Sequence, residues 1–254
     1  MLAVDAVSVS LDDALILREI SFALQPGTWT GLLGPNGSGK TTLLRAIGGH
    51  VPYDGQIVLD GQPVSNWTPR ERARRLAYVR QAPALSFDFT VRELVALGRS
   101  PHIGWFAQAD EAEQTIASAL RSVDLAGFAE RSVLSLSGGE RQRAFLAQAL
   151  VQDTPLLLLD EPIAHLDVRY QFRILDRIRR RVENGHTVLA VFHDLEQAAR
   201  YADRILLLRN GRLYADGSPA AVLAPDHIRT VFQMNATVRT DPHGHLRIHY
   251  QHAC

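Results

Sequence analysis

The sequence of 254 residues has one cysteine, Cys254, one lysine, Lys40, and no net charge, its 27 basic residues balanced by 27 acidic ones. Each scarcity excludes something. A lone thiol excludes an intrachain disulfide, which suits a reducing compartment. Zero net charge removes the global pull toward polyanions, so no nucleic-acid partner is expected. The densest apolar run, Leu156 to Leu159, is far short of the roughly 20 residues that span a bilayer. Met1 to Asp5 lacks the positive start and apolar core of a secretory signal. The expectation is a chain soluble by itself that reaches a membrane only through a partner.

What is present fits a folded domain. Apolar residues make up 46% and charged residues 21%, enough of the former to bury a core within one domain. Val4 to Leu24 alternates and stops at Gln25-Pro26-Gly27, a turn signal. Trp29 to Leu33 reads as a short buried strand, followed by a Gly-rich loop and a helix over Thr41 to Ile47. Ile57 to Leu59 predicts a strand closed by the hairpin turn Asp60-Gly61. Val91 to Gly98, Asp110 to Val123 and Ala126 to Glu130 have helical spacing, which marks about Ala82 to Leu136 as a helical insertion. Strands return at Leu156 to Leu159, Val188 to Phe192 and Ile205 to Leu208, separated by helices over Arg169 to Glu183 and Leu195 to Tyr201. This alternation predicts a parallel sheet covered on both faces. The tail, Ala236 to Tyr250, predicts a hairpin around Asp241-Pro242-His243-Gly244.

The chemistry begins at Gly34-Pro35-Asn36-Gly37-Ser38-Gly39-Lys40-Thr41, which fits the Walker A pattern, with Thr42 beside it. Glycines let backbone N–H groups turn inward around a phosphate, and the following helix offers its positive end. Lys40 supplies a point charge for the β- and γ-phosphates, and the Thr41 hydroxyl a ligand for Mg²⁺. Leu156 to Leu159 then delivers Asp160, a second Mg²⁺ ligand, with Glu161 placed to polarise an attacking water. A strand ending in an acidic turn would have the same look by itself; the Walker A loop gives the pair its meaning. Leu136-Ser137-Gly138-Gly139-Glu140 precedes a helix read over Arg141 to Val151. Ser137, Gly138 and Gly139 form either a plain helix cap or a second anion site, which makes sense if it closes over nucleotide held by another subunit.

With these motifs the chain resembles the ATPases of ABC transporters over nearly its whole length. Gly34 to Thr41 matches the Walker A, Leu136 to Gln142 the signature motif, and Leu156 to Glu161 the Walker B with its glutamate. Gln81 falls where that family has its Q-loop, Ala164-His165-Leu166-Asp167 at the D-loop, and His193 at the switch histidine. The resemblance implies an α/β P-loop NTPase (RecA-like) core, residues 1–81 and 152–254, with an N-terminal antiparallel β subdomain and the helical subdomain 82–151, all forming one ATPase domain. It implies a head-to-tail homodimer holding two ATP with Mg²⁺. Glu161 and His193 would act on the water and the γ-phosphate, with Gln81 sensing the metal and the water. It further implies permease subunits at the cytoplasmic face of the plasma membrane and, through them, a periplasmic binding protein.

Val95 to His102 is similar to the stretch found in uptake ATPases for iron-siderophores, haem and cobalamin; read bare, Gly98 to His102 is a helix stop and a turn. A soluble ABC-type ATPase of an assembly complex, as in iron–sulfur cluster biogenesis, is the alternative. The family has an aromatic residue to stack on adenine where this chain has Leu11. Phe87, Phe89, Trp105 and Phe106 suit either a partner patch or the core of the insertion. His243, His245, His249, His252 and Cys254 are potential metal ligands, but the turn breaks their alternation and a solvated tail is expected. The run Arg177 to Arg181 reads as a solvated helix face.

Overall fold

The computed structural model describes residues 1–81, 87–102, 109–164 and 166–253. The alternating N-terminal stretch is two strands, β1 (Leu2–Leu11) and β2 (Ala14–Ala23). Val7, Val9, Leu17 and Ile20 are buried from them. The chain reverses at Asp12-Asp13, both left-handed at φ 47° and 63°, a conformation Asp tolerates and a tight hairpin requires. The register shifts between Val4 and Val7 and again before Val9, near left-handed Ala6 and Glu19, and such bulges bend and twist the ribbon. Then come β3 (Trp29–Leu33), α1 (Lys40–Ile47), β4 (Asp54–Leu59) and β5 (Gln62–Pro63). The antiparallel sheet runs β2-β1-β4-β5.

The middle of the chain holds α2 (Pro69–Ala73), β6 (Leu76–Val79), α3 (Val91–Leu97), α4 (Ala109–Ser122), α5 (Gly138–Val151), β7 (Leu156–Leu159) and α6 (Val168–Glu183). Strands β6 and β7 are parallel, with Leu76 opposite Leu156 and Val79 opposite Leu159. The helix read over Ala126 to Glu130 is instead a short 3₁₀ turn, Ala126–Phe128. No side chain caps this turn, and Gly127 at its centre disfavours an α-helix. Gly98, which ends α3, has a packing reason to be glycine. A Cβ there would meet the Gln148 carbonyl of α5 at 2.1 Å and Val151 Cγ2 at 2.7 Å. Gly98→Ala is expected to destabilise this part of the chain by about 1–3 kcal/mol through overpacking, seen as a lower midpoint in urea unfolding.

The remainder comprises β8 (Thr187–Val191), α7 (Leu195–Tyr201), β9 (Arg204–Arg209), β10 (Arg212–Gly217), α8 (Pro219–Val222), α9 (Pro225–Phe232), β11 (Met234–Thr240) and β12 (Leu246–Ala253). Packing forms two compact units, Met1–Asn66 with Thr187–Cys254, and Trp67–His186. The stretch 82–151 lies inside the second, together with β6, β7 and α6. In the first unit β3 runs parallel between β8 and β9, with β10 antiparallel outside β9. All of β3 and β8 is buried, as a two-sided parallel sheet demands. At the foot of β3, Trp29 is fully buried, its ring 5.8 Å from that of Phe192 and 5.7 Å from that of Tyr201. The terminal hairpin is present, turning where Asp241 accepts the N–H groups of His243 and His245. It is tied to α7 by Glu196, which accepts from the Ile248 N–H at 2.7 Å and from Arg247 at 3.3 Å. Among the described residues no group of three or more His, Cys, Asp or Glu could hold a metal ion; Cys254 lies outside them. No described helix is long and apolar enough to cross a membrane.

Candidate functional site

In the first unit, β3 ends at Leu33 and α1 begins at Lys40, with the Gly-rich loop between. A Cβ on Gly34 (φ 151°) would lie 2.4 Å from the Leu208 carbonyl, and one on Gly39 (φ 99°) 2.5 Å from Leu17 Cδ2. Both glycines are therefore dictated by space and by backbone conformation. Lys40 is 6% exposed, and its ammonium donates to the carbonyls of Gly34 at 2.8 Å and Pro35 at 2.9 Å. The cation thus curls over the loop it would share with a phosphate. Ser38 Oγ is buried inside the loop with no hydrogen-bond partner among the described residues. An unpaired buried hydroxyl costs roughly 1–3 kcal/mol, which a ligand oxygen would offset. Asn36, Gly37 and Thr41 are exposed, and Pro35 and Thr42 half-buried. His193 is exposed between β8 and α7, followed by Asp194, which caps α7 by accepting the Gln197 N–H at 2.9 Å.

In the second unit, β7 delivers Asp160, 1% exposed, whose N–H donates to the Val79 carbonyl at 2.9 Å. The Tyr78 hydroxyl donates to Asp160 Oδ2 at 3.4 Å. Glu161 follows in the left-handed region at φ 52°, strain of the kind that collects at functional positions. Gln81 Nε2 donates to Glu161 Oε2 at 2.6 Å. Strand register explains the meeting: Val79 faces Leu159, and each partner lies two residues further along its chain. Tyr78 is a site neighbour that sequence reasoning missed, because an aromatic residue within a short strand reads only as core.

Ser137 is the N-cap of α5, which starts at Gly138 rather than at Arg141. Its hydroxyl accepts the Glu140 N–H at 3.3 Å and donates to Glu140 Oε2 at 2.8 Å, while the Ser137 N–H donates to the same oxygen at 2.8 Å. This is a capping box. The Ser137 hydroxyl, then its N–H, hold the Glu140 carboxyl below the ordinary glutamate value. A lowered pKa stabilises the fold above the unfolded value, and that contribution is lost as pH falls through the lowered one. Ser137→Ala is expected to cost about 1 kcal/mol at neutral pH. The deficit should shrink as pH drops below 4.5, the ordinary glutamate value, in urea titrations of both proteins. Ser137 and Gly138 remain exposed at the head of α5 and Gly139 half-buried. Asp167, exposed, is the N-cap of α6 without a side-chain bond to it; His165 lies outside the described residues.

A phosphate loop, a buried aspartate and a glutamate held by a glutamine are thus all in place. A family model described as ABC transporter matches residues 17–164. The chain belongs to the ABC transporter family. Among its ABC relatives, a hemin import ATP-binding protein of Pseudomonas fluorescens is 44% identical over 237 residues, 91% of this chain and 92% of the relative. A cobalamin import ATP-binding protein of Halobacterium salinarum is 42% identical over 243 residues, 95% of this chain. The chain spans 61% of that relative's length. A solved ABC cassette, dimeric in a post-hydrolysis state with ADP and phosphate bound, superimposes with a TM-score of 0.77 at 25% identity, over 86% of this chain and 99% of the other. The ABC fold read from the sequence, a P-loop NTPase core with an antiparallel β part and helices, is the fold found.

Proposed function

We propose that this chain is the ATP-binding and ATP-hydrolysing subunit of a bacterial ABC importer, working as a head-to-tail homodimer at the cytoplasmic face of the plasma membrane. The observation that carries the reading is the Gln81–Glu161 hydrogen bond beside buried Asp160, in a chain that also holds an intact phosphate loop. ATP is the substrate. Gly34 to Thr42 would bind its phosphates, Lys40 releasing its loop carbonyls for the γ-phosphate. Glu161 would take the proton of the attacking water, oriented with His193. Ser137, Gly138, Gly139 and Asp167 would complete the site of the second copy. Mg²⁺ supplies charge that draws electron density from the phosphates. The donors present fit this hard cation: the Thr41 hydroxyl, the Asp160 carboxylate, and the Gln81 carbonyl oxygen, left over when its N–H₂ is spent on Glu161.

Coupling to a permease is supported by a groove of about 290 Å³ in the second unit, lined by Tyr78, Arg80, Leu97, Gly98, Ser100 and Pro101 among others. It joins the strand that leads to Gln81 with the segment similar to that of chelate-uptake ATPases. In the same unit Phe87 is 72% exposed and edge-on to Phe89; Trp105 and Phe106 lie outside the described residues. The names of the hemin and cobalamin relatives point to a metal chelate as cargo, delivered by a periplasmic binding protein. The test is purification of the tagged chain from detergent-solubilised membranes of its host, with mass spectrometry of what accompanies it. A polytopic permease in stoichiometric amount is the expected result. Recovery with soluble partners alone would overturn the importer reading in favour of an assembly ATPase.

A further inference from the structure

In the second unit, a cavity of about 520 Å³ lies among α4, the end of α5 and the end of α6. Its walls carry Arg177, Arg180 and Arg181 from α6, and Thr115, Ser118 and Ser122 from α4; the Ser122 hydroxyl donates to the Ala119 carbonyl at 2.7 Å. No carboxylate is among its described lining residues. The three cations are not equally occupied. Arg181 is committed to the wall, donating to the Leu150 carbonyl at 3.0 Å and to Asp153 at 2.7 Å. Arg177 and Arg180 form no ion pair or side-chain hydrogen bond among the described residues. Glu183 at the end of α6 is paired with Arg179, and Asp124 with Arg173.

Cations in the last turn of a helix offset its negative end, and that suffices for Arg181. It leaves unexplained why two further guanidinium groups, one a turn earlier, line the same recess. Fork-shaped guanidinium donors recognise phosphate oxygens, two N–H groups to a phosphate. We propose that this recess binds a small phosphate-bearing anion, held by Arg177 and Arg180 beside Ser118.

The site is separate from the ATP chemistry. α5 runs from the Ser137 cap to Val151, and α6 from the Asp167 cap to Glu183, so the recess lies about 20 Å along each helix from those two residues. An anion there would touch the far ends of the two helices whose heads carry the signature and D-loop residues. It would act as an effector rather than as a substrate.

The test is calorimetric titration of inorganic pyrophosphate into the full chain saturated with ADP, so that the Gly-rich loop is occupied, at constant ionic strength. One saturable site per chain is expected. Arg177→Gln with Arg180→Gln should weaken it by roughly tenfold or more, since charge-assisted bonds are lost. Arg72→Gln with Arg239→Gln removes the same charge outside the recess, from residues that form no ion pair among the described residues, and should leave binding unchanged. No saturable binding to the parent, or equal weakening by both pairs, overturns the site. Failure of ADP to bind in the preceding titration would instead count against the ATPase reading.

Discussion

Glu161→Gln should bind ATP and scarcely hydrolyse it. The amide keeps the size of the carboxylate but cannot take the proton of the attacking water, and a positioned base contributes roughly 10²–10⁴-fold. Backbone strain at this left-handed position, φ 52°, is unchanged by the swap, so fold and nucleotide affinity should persist. Gel filtration with ATP and Mg²⁺ should then show a dimer that the parent forms only transiently. Single-turnover hydrolysis supplies the rate. A parental rate would remove Glu161 from the mechanism and leave the phosphate loop untouched.

Lys40→Ala should fail at the earlier step. The ammonium is buried and bonded to two loop carbonyls, so the exchange to phosphate oxygens costs little geometry. Removing one partner of a buried charge pair costs about 2–5 kcal/mol, which weakens ATP binding by more than an order of magnitude. Lys40→Arg is the informative companion. Every other fixed cation in the sequence is arginine, yet a planar fork does not replace a compact ammonium in so tight a loop. Both variants should fail in equilibrium ATP titration; rescue by arginine would show that charge alone matters there.

Legibility in the sequence followed distance along the chain. The phosphate loop is contiguous, so its glycines, Lys40 and the preceding buried strand could be read directly. The Ser137 cap was readable for the same reason, since serine and Glu140 are three residues apart. Strand pairing was harder. Val4 to Leu24 alternates throughout, and the reversal at Asp12-Asp13 carries no glycine to announce it. β6 is four residues long and gives no period of its own, so its place beside β7 was invisible. With it went the Gln81–Glu161 bond, which spans 80 positions and exists because two strands share a register. The arginines of α6 read as a solvated face because helical spacing shows which residues share a stripe, not what recess that stripe lines.

The burial of Trp29 has an optical consequence. Its indole, packed between Phe192 and Tyr201 with Nε1 unbonded, sits in a dry setting that shifts emission to the blue. Trp67 lies half-buried with the Arg75 guanidinium 3.7 Å from its ring, a polar setting that shifts emission to the red. The two rings belong to different units. With Trp105 replaced by phenylalanine, the colour of the emitted light separates the melting of one unit from that of the other, without any added dye.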